Sequence, residues 1–213
     1  MQHNLSDIQI DYNGDPLLEE NLPDNPLTLF HNWFEQISAT YNSQPNAMIL
    51  STHGKNGFPQ ARVVLLKEYS DKGFSFYTNY NSQKGKGIKK NNKVSLTFYW
   101  PELERQVRIE GLASKTTEKE SDDYFNSRPF ESRVSAIISD QSQKVPSRNY
   151  LDDKVEHLME NLKTTEPERP DSWGGYIVSP ISVEFWQGRP NRLHDRILYK
   201  LKSEKWKISR LAP

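Results

Sequence analysis

Hydrophobic and polar positions change period along the 213-residue chain, and the changes mark out its elements. Leu29, Phe30, Trp33, Phe34 and Ile37 recur at helical spacing through Tyr41, with Asp24 or Asn25 able to cap the helix and Pro26 in its first turn. This aromatic stripe reads as core. The period then falls to two. Ala47 to Thr52 and Gln60 to Lys67 read as strands joined by a loop containing Asn56-Gly57, a strong hairpin signal. Gly73 to Asn79, Lys93 to Trp100 and Arg105 to Lys115 follow as strands, the last two arranged around Pro101. Helices are predicted after Ser82, from Thr116 or Thr117 toward Arg128, and over Asn149 to Leu162, the last with His157 at its surface. Val134 to Ile138 form an apolar turn. Trp173 to Val178 form a further strand, which leads to Glu184. Residues 1–24 are polar and acidic, broken by Asp15-Pro16 and Pro23-Asp24, and read as a mobile arm ahead of one domain over 25–213. This order favours an α+β fold built on an antiparallel barrel.

Composition narrows the class. Lys plus Arg and Asp plus Glu are 28 each, so no net charge recruits nucleic acid or an anionic membrane. No apolar run approaches the roughly 20 residues that cross a bilayer, and the N-terminus lacks the pattern of a signal peptide, so the cytoplasm is expected. The chain has no cysteine, which removes disulfides, thiolate metal sites and a thiol nucleophile. Its histidines stand far apart without carboxylates at ligand spacing, so no metal is expected. Hydrophobic residues make up only 34%, partly offset by 5 Trp, 10 Tyr and 9 Phe. A small aliphatic core suggests that burial is completed by a cofactor or a second subunit.

Several stretches carry candidate chemistry. From Glu184 to Arg196 the chain reads Glu-Phe-Trp-Gln-Gly-Arg-Pro-Asn-Arg-Leu-His-Asp-Arg. Alternation puts Glu184, Trp186 and Gly188 on one side of a strand, and Arg192, His194 and Arg196 on one side of the next, with Gly188 and Pro190 at the turn. Two arginines, an imidazole and an indole near one hairpin suit an anionic aromatic molecule, although any half-exposed strand alternates in this way. Arg62-Val63-Val64-Leu65-Leu66-Lys67 reads as a strand buried on both faces with a cation at each end, the two roughly 17 Å apart at ~3.4 Å per residue. The basic run after Ser82, with Gln83 and Lys84 in its first turn, offers a helix N-terminus to an anion without being a nucleotide P-loop. Tyr124 and Arg128 lie four apart on one helical face before Pro129, with Ser132 in the next turn. By themselves Tyr124 and Arg128 read as a surface pair.

These motifs together resemble the pyridoxine/pyridoxamine 5'-phosphate oxidase family. Trp186-Gln-Gly followed by Arg192-Leu-His-Asp-Arg196, and the ending Trp206-Lys-Ile-Ser-Arg-Leu-Ala-Pro213, are similar to its C-terminal signature. The likeness runs from about Pro26 to Pro213. It implies the FMN-binding split barrel and a homodimer with flavin sites at the subunit interface. By resemblance, FMN is held by Arg62 to Lys67, Tyr77, Thr78, Gln83, Lys84, Gln106, Gln141, Ser142, Trp186 and Arg196. The substrate is held by Lys67, Tyr124, Arg128, Ser132, Arg192 and His194, with Arg192 and His194 as the catalytic pair. The implied reaction oxidises pyridoxamine or pyridoxine 5'-phosphate, passing electrons to dioxygen to give hydrogen peroxide. The sequence departs from the family pattern at Gln83, where a basic residue is usual, and at Gln9-Ile10-Asp11-Tyr12, where basic residues commonly precede the tyrosine. The alternatives are another FMN oxidoreductase on the same barrel and a non-catalytic binder of FMN or pyridoxal phosphate. The substrate-side residues discriminate among them.

Overall fold

Asn25 starts the first helix by accepting the Leu27 N–H on its side-chain oxygen at 3.0 Å, and α1 then runs Pro26–Thr40 with Leu29, Phe30, Trp33 and Ile37 buried. The computed structural model describes residues 3–6, 11–40, 44–162 and 165–213, so Tyr41 lies outside the described residues. Strands β1 (Ala47–His53) and β2 (Pro59–Leu65) turn through Gly57, whose φ of +83° suits the glycine of the Asn-Gly pair. After β3 (Glu68–Ser70) and β4 (Gly73–Asn79) comes α2 (Gln83–Lys90), capped by the Ser82 hydroxyl accepting from the Gly85 N–H. β5 (Lys93–Trp100) and β6 (Arg105–Lys115) flank a 3-10 turn begun by Pro101.

Helix α3 (Glu118–Ser127) opens with a capping box between Thr117 and Glu120. Helices α4 (Phe130–Ile138) and α5 (Arg148–Asn161) follow. The chain closes with β7 (Trp173–Gln187), β8 (Asp195–Lys202) and β9 (Lys205–Leu211). The strand order is β2-β1-β5-β6-β7-β4-β3, with β8 pairing β7 and β9. β7 pairs antiparallel with β4 over Trp173–Val178 and with β8 over Ser182–Gln187. The α+β fold with an antiparallel sheet is as the sequence predicts.

Four local expectations are corrected. The Arg62-to-Lys67 run is not one doubly buried strand: β2 stops at Leu65, Val63 is 66% exposed, and only Leu66 is buried. β2 stands at the end of the strand order and pairs with β1, so its faces are not enclosed as a central strand's would be. Arg128 is not inside the helix that carries Tyr124, although both line one basin. It is the C-cap of α3 with ψ 150°, because Pro129 drives the residue before it out of the helical region. The Val134 to Ile138 turn is the second half of α4. Arg192 and His194 precede β8 rather than alternating along it. Pro190 begins a 3-10 turn in which Asn191 and Arg192 take φ of +57° and +61°, and extended structure resumes only at Asp195.

The chain divides into two compact units. One comprises Met1–Ile49, Ser95–Glu110 and Pro180–Pro213; the other comprises Leu50–Val94 and Gly111–Ser179. The first has an aromatic core: Phe30 meets Phe98 edge-on at 5.1 Å, Trp33 meets Phe185 at 5.2 Å, and Phe185 meets Tyr199 at 5.7 Å. The second buries Phe74, Phe76 and Val178, with a satellite of Phe125, Ala136 and Trp173. Each buried Phe contributes about 1.5–3 kcal/mol of transfer free energy, so rings offset much of the shortage of aliphatic side chains.

Candidate active site

In the second unit, a basin of about 630 Å³ is lined by Arg62, Val63, Val64 and Leu65 of β2, by Lys67, by Tyr77 and Thr78 of β4, and by Lys84 of α2. Tyr124, Arg128, Ser132, Gln141 and Trp173 complete its functional lining. The volume suits a small aromatic ligand. A contiguous depression of about 390 Å³ shares Arg62 and Lys84 and adds Gln83 and Ser142, whose hydroxyl accepts the Gln83 N–H at 3.2 Å. Of the sequence-predicted positions in this unit, only Leu66 turns away, into the core. The residues are far apart in sequence and are gathered because β2, β4, α2 and the ends of α3 and α4 converge.

The basin is cationic. Arg62, Lys67, Lys84 and Arg128 all line it, and no carboxylate does so among the described residues. Arg62 Nη1 donates to the Leu50 and Gln60 carbonyls and the Thr52 hydroxyl at 3.2, 2.9 and 2.8 Å, which fixes its guanidinium without neutralising it. Lys84 Nζ donates to Gln141 Oε1 at 2.8 Å and Thr78 Oγ1 at 3.2 Å, again neutral partners. Burial first, and the nearby Arg62 charge second, push the Lys84 ammonium down to about 8. Arg128 Nη1 is buried with no hydrogen-bond partner among the described residues. A buried donor left unmade costs about 1–3 kcal/mol, so this arrangement fits an anionic ligand that would complete it.

One wall is aromatic. Tyr77 and Tyr124 stack at 3.9 Å, and Trp173 lies parallel to Tyr124 at 6.1 Å with an interplanar angle of 4°. Burial, with Glu68 and Glu120 adding to it, raises the Tyr77 hydroxyl to about 12, so the ring stays neutral at physiological pH. Gly175 makes room for this wall: a Cβ there would fall 2.8 Å from the Tyr77 ring and 2.5 Å from the Thr116 hydroxyl. Trp173 was not singled out by sequence. Its signal was the adjacent Gly174-Gly175 pair, which marks close approach to a strand.

The first unit holds Gln106, Trp186, Arg192, His194 and Arg196. Trp186 and Arg196 are cross-strand partners of β7 and β8 and so share a face. Glu184, two residues before Trp186 and on that same face, accepts from Arg196 Nε at 2.9 Å and from Arg108 Nη1 at 3.3 Å. Gln106 shares this side of β6 with Arg108 by alternation. His194 lies 4.7 Å from the Trp186 ring. Its Nδ1 accepts the Arg189 N–H at 3.1 Å, so the neutral imidazole carries its proton on Nε2. Arg192 is exposed at the turn, and its side chain has no hydrogen bond among the described residues.

The first unit also places the N-terminal stretch. Tyr12 meets Trp186 edge-on at 5.6 Å and His194 at 5.4 Å. The Asn13 and Gly14 N–H groups donate to one Glu104 carboxylate oxygen at 2.8 and 2.9 Å, and Arg210 holds Glu19 and Asp195. Gln9 and Ile10 lie outside the described residues. Among the described residues no cluster of acidic or histidine side chains is placed to hold a metal, and no helix is long and apolar enough to cross a membrane.

Comparison with known proteins shows what the chain is similar to. Residues 34–161 match the family model for pyridoxamine 5'-phosphate oxidase, and residues 173–213 match that for the pyridoxine 5'-phosphate oxidase C-terminal dimerisation region. A Flavobacterium johnsoniae protein named pyridoxine/pyridoxamine 5'-phosphate oxidase is 50% identical over 212 residues, covering 99% of both chains. A Bacteroides thetaiotaomicron protein of the same name is 48% identical, covering 99% of both. Among solved structures, PhzG from Burkholderia lata 383, in complex with tetrahydrophenazine-1-carboxylic acid, superposes with a TM-score of 0.87 at 28% identity, covering 94% of this chain and 99% of that one. A pyridoxamine 5'-phosphate oxidase-related, FMN-binding protein from Nostoc punctiforme shares the fold at TM-score 0.72 and 14% identity, covering 90% of this chain and 100% of that one. Sequence and structure agree that the chain belongs to the pyridoxamine 5'-phosphate oxidase family.

Proposed function

We propose that this protein oxidises pyridoxamine 5'-phosphate and pyridoxine 5'-phosphate to pyridoxal 5'-phosphate, with FMN as cofactor and dioxygen as electron acceptor. The observation that carries the reading is the basin, lined by no carboxylate among the described residues, in which Arg62, Lys67, Lys84 and Arg128 meet an aromatic wall, the chemistry required by two phosphate-bearing aromatic molecules. Arg62 and Lys84, with Gln83 and Ser142 beside them, would take the FMN phosphate. Thr78, Gln141, Gln106, Trp186 and Arg196 would contact the rest of the flavin. Lys67, Tyr124, Arg128 and Ser132 would take the substrate phosphate, and Arg192 and His194 would orient the pyridine ring. FMN would supply the two-electron acceptor for oxidation at C4' and dioxygen would carry those electrons on to hydrogen peroxide, while for the amine substrate water would hydrolyse the resulting imine with loss of ammonia. The protein contributes position and charge: fixed donors remove the entropy cost of alignment, and cations favour the electron-rich reduced flavin.

A homodimer belongs to the same reading, with the dimerisation-region match as its support. Ile49 and Tyr99 are exposed large side chains on the neighbouring strands β1 and β5, the kind of surface a second subunit covers. Light scattering should give twice the chain mass; a monomer with FMN bound would contradict this. Purified protein should be yellow and should consume dioxygen when given pyridoxamine 5'-phosphate. A preparation that binds FMN yet consumes no dioxygen with either phosphorylated vitamer would overturn the proposed activity.

Lys84 gives a pH test. Its pKa is depressed to about 8 from an ordinary 10.5, so the FMN-free protein holds fewer protons than its unfolded chain between those values. Its stability should therefore rise with pH across that window. FMN affinity should move the other way, falling as Lys84 loses its charge above about pH 8. One charge-assisted bond is worth roughly 1.5–3 kcal/mol, so the loss should be roughly tenfold or more by fluorescence titration. Lys84→Met should bind FMN weakly and without this pH dependence; an unchanged slope would remove Lys84 from the phosphate site.

A further inference from the structure

Trp173 lines the basin as part of its aromatic wall, and the reading above gives it no contact with either phosphate. The Arg128 guanidinium carbon lies over its ring, 4.7 Å from the ring centroid. Among the described residues no carboxylate lines the basin beside Arg128, and its Nη1 is buried without a hydrogen bond. Arg128 is the C-cap residue of α3, its N–H donating to the Phe125 carbonyl at 3.2 Å, so its backbone is anchored while its long side chain is left to its own contacts. An aromatic face can hold a guanidinium while leaving all five N–H donors free, whereas a carboxylate would consume two of them and cancel the charge. Trp173 is itself held on three sides. Tyr124 lies parallel to it, Phe125 meets it edge-on at 5.4 Å, and its carbonyl accepts from Arg169 Nη1 at 2.7 Å. Arg169 is in turn paired with Glu118 and Asp122 of α3, the helix that carries Tyr124 and leads to Arg128.

We infer that Trp173 is a positioning residue for phosphate recognition: its indole face presents Arg128 to the substrate phosphate with the guanidinium donors unspent. The inference rests on the proposed substrate site and adds the residue that makes its arginine selective. A cation–π contact in a desolvated site is worth up to about 2 kcal/mol, roughly tenfold or more at ~1.4 kcal/mol per decade.

The test uses the FMN-loaded protein and measures dissociation constants for pyridoxal 5'-phosphate and for pyridoxal, together with turnover of pyridoxamine 5'-phosphate. Trp173→Leu should weaken pyridoxal 5'-phosphate roughly tenfold at ~1.4 kcal/mol per decade and leave pyridoxal unchanged. Trp173→Phe, which keeps a ring face, should recover most of the loss and guards against misfolding of the leucine variant. In an Arg128→Ala background, Trp173→Leu should no longer alter the ratio of the two constants. Equal weakening of both ligands, or an undiminished effect in the Arg128→Ala background, would show a merely structural role and overturn the inference. Unmutated protein that binds pyridoxal 5'-phosphate with this Trp173 dependence but oxidises neither vitamer would overturn the proposed activity and leave the positioning role standing. Failure to prefer the phosphorylated ligand at all would overturn both.

Discussion

Pyridoxamine without its 5'-phosphate should be used with a kcat/KM about a thousandfold below that of pyridoxamine 5'-phosphate, on the basis of two or three charge-assisted hydrogen bonds at roughly 1.5–3 kcal/mol each. The geometry that supports so large a factor is the shared lining of one basin by Lys67, Tyr124, Arg128 and Ser132. Arg128 Nη1 already carries the desolvation cost of burial without a partner among the described residues. A phosphate oxygen arriving there gains the bond without a second dehydration of the arginine, while the unphosphorylated amine leaves the donor unmade. Arg128→Ala should accordingly lower kcat/KM for the phosphorylated substrate by about a hundredfold, at ~1.4 kcal/mol per decade, and leave pyridoxamine nearly unaffected. Comparable kcat/KM values for the two substrates in the unmutated protein would show that these four residues do not form a phosphate pocket.

How much of this was legible in the sequence varies with the kind of signal. Local chemistry was readable wherever one residue type does one job. Thr117 caps α3, Ser82 caps α2, Gly57 takes the positive φ of the first hairpin, and β4, β5 and β6 have the bounds that alternation gives. Alternation misled where the next residues override it. Pro129 takes Arg128 off the helix, and Pro190 with two left-handed residues delays β8 until Asp195. Hydrophobicity alone also overstated the burial of Arg62 to Lys67, because four apolar residues in a row do not say whether a strand is central or terminal in its sheet. The functional residues were legible as family motifs, but their convergence was not. Ser132 and Lys67 are 65 positions apart and meet only through tertiary packing. Trp173 and Glu184 were missed as contributors for the same reason: a tryptophan opening a strand and a glutamate within one look like ordinary core and surface until the arginines against them are seen.

Arg192→Ala should lower kcat/KM for pyridoxamine 5'-phosphate by about a hundredfold to a thousandfold, the cost of losing one preorganised charged donor near the reacting centre, while FMN remains bound. The separation follows from where the side chains are anchored. Trp186 and Arg196 are cross-strand partners on β7 and β8, and Arg196 is tied to Glu184 and to the Ala212 carbonyl, so the proposed flavin contacts do not depend on the turn. Arg192 stands on that turn with no side-chain hydrogen bond among the described residues, free to meet a ligand. Its φ of +61° follows Asn191 at +57°, and a left-handed residue costs roughly 1–2 kcal/mol unless it is glycine. Alanine bears the same cost as arginine there, so Arg192→Ala should melt at the parental temperature. Arg192→Gly should melt at or above it, because the gain in backbone freedom of the unfolded chain offsets only part of the relieved strain. Both variants should lose activity equally, since both lack the guanidinium. If Arg192→Gly were active where Arg192→Ala was not, the turn's conformation and not the charge would matter. If Arg192→Ala shed FMN but turned over normally once FMN was resupplied, Arg192 would belong to the cofactor and its assignment to the substrate would be wrong.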